Sequence, residues 1–132
     1  MHDLLTLSRW LSPAFPVSAY AYSHGLEAAV AAGEVHSAEA LRVWLGDVLA
    51  LGAGRADAVL LAAALRGEDA GDLAAAARAL AASRERLEET EALGRAFAAT
   101  LAASGEAEMP ARPYPVALGV AARRLDLPPE TV

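Results

Sequence analysis

The chain has 132 residues and a formal charge of −6, from 11 basic and 17 acidic side chains; every basic residue is Arg, and Lys, Cys, Ile, Asn and Gln are absent. Without Lys there is no Walker-A lysine, Schiff-base lysine or Ser–Lys dyad, and without Cys there is no disulfide framework, thiolate nucleophile or thiolate-held zinc. An acidic chain with no basic run lacks the means to neutralise phosphates, so no nucleic acid is expected as a partner.

The length allows one domain over residues 1–132. Ala supplies much of the 55% hydrophobic fraction and buries little area, so the core is expected to be thin, with helices packed closely through small residues. Abundant Ala, Leu, Glu and Arg with few β-branched residues predict an all-α protein. In chain order, Leu4, Leu7 and Leu11 mark a helix over 3–11, and Ser12-Pro13 ends it, because the residue before Pro is pushed out of the helical region. Residues 12–22, Ser-Pro-Ala-Phe-Pro-Val-Ser-Ala-Tyr-Ala-Tyr, carry two prolines three apart and read as an ordered aromatic loop. Ser23 is the expected N-cap of a second helix reaching Ala32, with Gly33 closing it.

Ser37 is placed to cap a third helix, with Glu39 at the positive end of its dipole and Leu41, Leu45, Val48 and Leu49 on one face. Gly52-Ala53-Gly54 marks a break. A fourth helix is expected over 55–66, burying Val59, Leu60 and Leu61 and ending at Gly67. A fifth covers 72–82, with Leu73, Ala76, Ala77 and Leu80 inward. A sixth covers 84–104, where Leu87, Thr90, Leu93, Phe97 and Leu101 step by three and four. Pro113 and Pro115 precede a seventh over 115–125. The last residues, Leu127 to Val132, resemble the start of another helix that does not continue, which suggests a chain cut short. The expected fold is therefore an all-α, Ala/Leu-rich bundle of six to seven helices with an ordered Pro/aromatic N-terminal loop. No basic leader precedes an apolar run, and Asp47 interrupts the apolar run from Trp44 to Leu51, so no membrane span is expected and a cytoplasmic location is the default.

Chemistry-bearing side chains concentrate in 10–27. Four of the seven aromatic residues, Trp10, Phe15, Tyr20 and Tyr22, lie there, followed by Ser23-His24-Gly25-Leu26-Glu27. Ser23 and His24 are adjacent, so on a helix they diverge by about 100° and cannot act as nucleophile and base; no G-x-S-x-G elbow exists. No catalytic residue is assigned, and no cofactor is expected. His24 and Glu27, three apart, offer at most a partial metal site without a second His motif or a Cys. The plainer reading of His24 is a polar residue bonding the loop backbone at a helix start. Trp10, Phe15 and Trp44 are expected in the core. Tyr20 and Tyr22, one small residue apart, face the same way in an extended loop and suit a surface that meets another chain. The charges from Arg84 to Glu91 read as a solvated helix face with pairs such as Glu91–Arg95.

The block from Leu11 to Glu27, Leu-Ser-Pro-Ala-Phe-Pro-Val-Ser-Ala-Tyr-Ala-Tyr-Ser-His-Gly-Leu-Glu, closely resembles the N-terminal signature of the urease accessory protein UreF family, S-P-x-x-P-[VI]-G-x-[FY]-x-[YH]-S-x-G-[LI]-E. Thr90 to Gly94, with Arg95, resembles that family's S-x-x-x-G step, and Pro113 to Gly119 resembles its H-x-P-V-x-x-G segment. Ser18 stands where the family usually has Gly, and Leu87 where it often has Arg. Members are also longer at the C-terminus. The resemblance implies a dimeric, all-helical, non-enzymatic protein that joins UreD (also called UreH) and the GTPase UreG in loading nickel into apo-urease. It implies a partner- or dimer-facing surface formed by Pro13, Phe15, Pro16, Tyr20, Tyr22, Ser23, His24, Gly25 and Glu27. A direct nickel carrier using His24 and Glu27 is the alternative, and a small Ser/His hydrolase a remote third.

Overall fold

The computed structural model describes residues 1–17 and 23–132. Among them are seven α-helices and no strand: α1 (His2–Trp10), α2 (Leu26–Ala31), α3 (Ala38–Ala50), α4 (Ala53–Arg66), α5 (Ala70–Leu80), α6 (Arg84–Ala103) and α7 (Tyr114–Ala122), with a final 3-10 turn over Pro129–Thr131. The starts of α3, α5 and α6 follow from local chemistry. Ser37 accepts from the Ala40 amide, Asp69 from Gly71 and Asp72, and Ser83 from Arg86, each satisfying amides that have no partner within the helix. Gly67, in the left-handed conformation, ends α4 as expected.

The centre of the molecule is α7. Seven of its nine residues are buried, and a helix that is apolar on every side needs neighbours on every side. It has them: α4 and α6 pack along it, and α5 adds a third contact. Phe97 of α6 is fully buried and gathers three rings around itself. Trp10 meets it edge-on at 5.8 Å, Tyr114 edge-on at 5.7 Å and Phe15 tilted at 5.7 Å. Burial pushes the Tyr114 phenol above its ordinary value. Through Trp10 and Phe15, α1 and the turn after it are fastened onto this core. Further ties come from the Thr100 hydroxyl, which donates to the Pro16 carbonyl at 3.1 Å, and from Trp10 Nε1, which donates to Glu106 at 3.0 Å. Glu106 also pairs with Arg9.

Several expectations are corrected. The second helix begins at Leu26, not near Ser23, because His24 (φ 53°) and Gly25 (φ 88°) both turn through the left-handed region. The apolar face of α3 is not in the core: α3 has no buried residue, and Val43, Leu45 and Leu49 are exposed. Trp44, on α3, is only partly covered. In α4 Leu60 is buried but Val59 is exposed, and in α5 Ala74 and Ala77 are buried while Ala76 and Leu80 are exposed. The inward faces of α4 and α5 are set by where α7 lies, and the largest apolar residue is not always on them.

Despite Asp47, the stretch Ala38–Arg66 is by length and composition apolar enough to cross a membrane, contrary to expectation. The backbone breaks that stretch at Leu51 and Gly52, leaving helices of 13 and 14 residues. Each is about 20 Å long at 1.5 Å per residue, against a hydrocarbon core of about 30 Å.

Candidate functional site

The described part of the signature block divides: Ser12 to Pro16 lie against Thr100 of α6, and Ser23 to Gly25 lie elsewhere. Ser23, His24 and Gly25 line a hollow of about 390 Å³, together with the α3–α4 break at Gly52 and Ala53 and the first turns of α6, from Ser83 to Glu89. A neighbouring hollow of about 280 Å³ lies between α4, α5 and α6 and shares Gly52, Ala53, Ala82 and Arg86 with the first. Arg86 is the wall between them.

Arg86 is not a solvated residue, contrary to the expectation for the Arg84–Glu91 charges. Its side chain is 16% exposed and Glu89 is 11% exposed. Its guanidinium pairs with Asp57 of α4 and, at 2.8 Å, with Glu89 one turn along α6. A planar guanidinium presents donors along two edges and so serves two carboxylates at once. The arrangement clamps α4 to α6 where both border the hollows. Asp57 is held above the ordinary carboxylate range: burial outweighs the attraction of Arg86, Glu89 pushes the same way, and His24 pulls slightly against it. His24 thus contributes to the field at this cluster, although no hydrogen bond to the loop backbone is formed from it among the described residues. Nothing in the sequence pairs Asp57 with Arg86, 29 positions apart; only the Arg86–Glu89 spacing of three was there to be read. Leu87, where the resemblance leads one to expect Arg, is partly buried, and the cation of this turn is carried by Arg86.

The other residues expected at the surface divide. Pro13 and Pro16 lie in the turn that follows α1, Pro13 exposed. Phe15 is 7% exposed and belongs to the core, in keeping with one of its two expected roles. His24, Gly25 and Glu27 are exposed, and Ser23 is partly covered. Tyr20 and Tyr22, like Ser18, lie outside the described residues. No third ligand-type side chain joins His24 and Glu27: among the described residues no group of three or more His, Cys, Asp or Glu is placed to hold a metal ion.

The two weaker echoes of the signature meet in space. The Thr90 hydroxyl, buried within α6, accepts the amide of Tyr114 at 3.2 Å and so fixes the start of α7. A Cβ on Gly94 would lie 1.7 Å from the Arg112 carbonyl oxygen, and one on Gly119 would lie 2.6 Å from the Ala64 Cβ and 2.8 Å from the Leu61 carbonyl. Those glycines are what allow α7 and its lead-in to sit against α6 and α4. Thr90, Gly94 and Gly119, which carry the resemblance in 90–119, are therefore packing positions.

Comparison with known proteins bears on what that surface serves. The UreF family model matches residues 35–132. A urease accessory protein UreF of Cereibacter sphaeroides is 62% identical over 125 residues, covering 95% of this chain and 60% of the relative. One of Jannaschia sp. is 57% identical over 130 residues, covering 98% and 59%, and one of Ruegeria pomeroyi is 41% identical over 129 residues, covering 96% and 59%. The chain thus spans about three-fifths of the length of the curated relatives it matches. No solved structure matches it. With the family match running from Val35 through α3 to α7 and on to Val132, and with relatives 41–62% identical over nearly its whole length, the chain belongs to the UreF family.

Proposed function

We propose that the chain is a urease maturation factor that works by assembly, without catalysis of its own. In this reading it scaffolds a complex with UreD/UreH-like and UreG-like proteins and regulates the UreG GTPase while nickel passes to apo-urease. It does so in the cytoplasm, as a homodimer. The observation that carries the reading is the identity, over nearly the whole chain, to proteins named urease accessory protein. The residue chemistry is in keeping with it. A chain without Lys has no P-loop, so nucleotide hydrolysis falls to a partner.

The exposed surface is larger than that of a compact monomer of this mass. The chain exposes 8052 Å², whereas a compact monomer of 13.6 kDa exposes about 6,600 Å². Exposed apolar side chains include Val43, Leu45, Leu49 and Leu51 on α3 and at the α3–α4 break.

The test mixes the chain with its UreD/UreH-like and UreG-like partners and follows co-elution in size exclusion. Co-elution with either partner is the expected result, and failure to associate with both overturns the reading. Replacing Tyr20 and Tyr22 by Ala is expected to weaken assembly more than it lowers the melting temperature. Equal losses of both would place the tyrosines in the core instead.

A further inference from the structure

Away from the Arg86 hollows, charged side chains from α5, α6 and the segment before α7 meet around a shallower depression of about 190 Å³. Arg78 Nε donates to Glu91 at 2.8 Å, and Arg95 faces the other oxygen of the same carboxylate at 3.9 Å. Arg112 lines the same depression and donates to the Pro110 carbonyl at 3.3 Å. One carboxylate among three guanidiniums leaves two positive charges in excess, on a chain of formal charge −6. Arg78 is 48% exposed and Arg95 61%, so donors remain free for an incoming group. Glu108, in the adjoining segment, does not line the depression.

A second observation concerns the backbone beside these arginines. Residues 107–113 hold no helix, strand or turn, and Pro110 and Pro113 drive the residues before them toward extended backbone. Among the described residues, no protein group accepts from the amides of Ala107, Glu108, Met109, Ala111 or Arg112. The segment is nonetheless held in place. Pro113 is buried, Tyr114 is bonded to Thr90, and the Arg112 carbonyl lies hard against Gly94. An unpaired main chain, anchored at Arg112 to Tyr114 and biased to extended backbone at Met109 and Arg112, next to exposed guanidiniums combines two elements of peptide recognition, backbone pairing and bidentate carboxylate capture.

We propose that this edge docks an extended acidic segment of a protein partner, its main chain along residues 107–112 and its carboxylates on Arg78, Arg95 and Arg112. A single carboxylate displaces the long Arg95–Glu91 contact at small cost. A multiply charged phosphate would meet the Glu91 carboxylate inside the depression, which disfavours it. The proposal stands independently of the function proposed above.

The probe is a hexaglutamate peptide titrated into the isotopically labelled chain at low salt, followed by amide and arginine side-chain shifts. Shifts are expected at residues 107–112 and at the three arginines. The Arg95→Glu, Arg112→Glu double variant is expected to weaken binding by about tenfold, as befits the loss of charge-assisted contacts. Arg42→Glu, on α3 where Arg42 pairs with Glu39, is expected to leave binding unchanged. Absent or scattered shifts in the wild type overturn the proposal whether or not the double variant folds. Equal shifts with inorganic phosphate or free glutamate overturn it too, because they would show simple anion capture.

Discussion

Gly94 and Arg112 are in direct backbone contact: a Cβ on Gly94 would lie 1.7 Å from the Arg112 carbonyl oxygen and 2.9 Å from its carbon. Backbone cannot rotate aside as a flexible side chain can, so Gly94→Ala must push the lead-in to α7 off α6. The expected cost is about 3 kcal/mol, the upper part of the usual range for overpacking, measured as a fall in the midpoint of urea unfolding. Gly119→Ala meets the Ala64 Cβ at 2.6 Å and is expected to cost a similar amount. Ala64→Gly should recover part of that loss, because the two substitutions share one contact.

Thr90 is a buried polar residue within α6. Thr90→Val keeps its shape and removes the acceptor of the Tyr114 amide. A half-buried amide left without its partner costs about 1–2 kcal/mol, and Thr90→Ser should restore most of it. Equal unfolding midpoints for Thr90→Val and wild type would show that water replaces the hydroxyl.

The clamp at Arg86 has a pH signature. Asp57 is held above its ordinary carboxylate value by burial. A group whose folded value is raised contributes most to stability when protonated, below its unfolded value, and that contribution is lost as pH rises through the folded value. Asp57→Asn cannot ionise, so the stability of wild type relative to this variant is expected to fall as pH is raised through and just above the carboxylate range. Thermal unfolding followed from about pH 3 to pH 6 reads this directly; a relative stability that rises over that interval contradicts it. At neutral pH, Arg86→Met leaves Asp57 and Glu89 without their cation and is expected to cost about 2 kcal/mol, less than a fully buried pair would because Asp57 is partly exposed.

The two tryptophans should report different regions. Trp10 is 6% exposed, packs on Phe97 and donates to Glu106, so Trp10→Ala is expected to cost about 3–5 kcal/mol. Trp44→Ala, on a helix with no buried residue, should cost far less. Chemical denaturation of both variants decides it.

The helical pattern was legible because its signals are local. Ser37 and Ser83 cap their own helices, Gly67 ends its own, and Phe97 and Leu101 recur at helical spacing. What could not be read from the chain depends on where distant segments come to rest. Val59 and Leu60 are neighbours in sequence, yet only the second faces α7. Arg86 looked solvated because the carboxylate that holds it on α4 is remote in sequence. Trp44 was assigned to the core on hydrophobicity alone, but the elements that fill the core are those packed around α7. The site was legible only in part. The resemblance singled out Ser23, His24 and Gly25, and they line one hollow with Arg86 and Glu89, while Asp57, which holds Arg86 from α4, carried no mark in the sequence.

The helix that unites the core is also made late. At about 5–20 residues per second, synthesis leaves α4 waiting several seconds for α7, the surface it packs against. During that interval the faces of α4, α5 and α6 that α7 will cover are without it. Anything that holds the nascent chain then, a chaperone or an assembly partner, meets apolar surface that the finished protein conceals, and release should coincide with the emergence of residues 114–122.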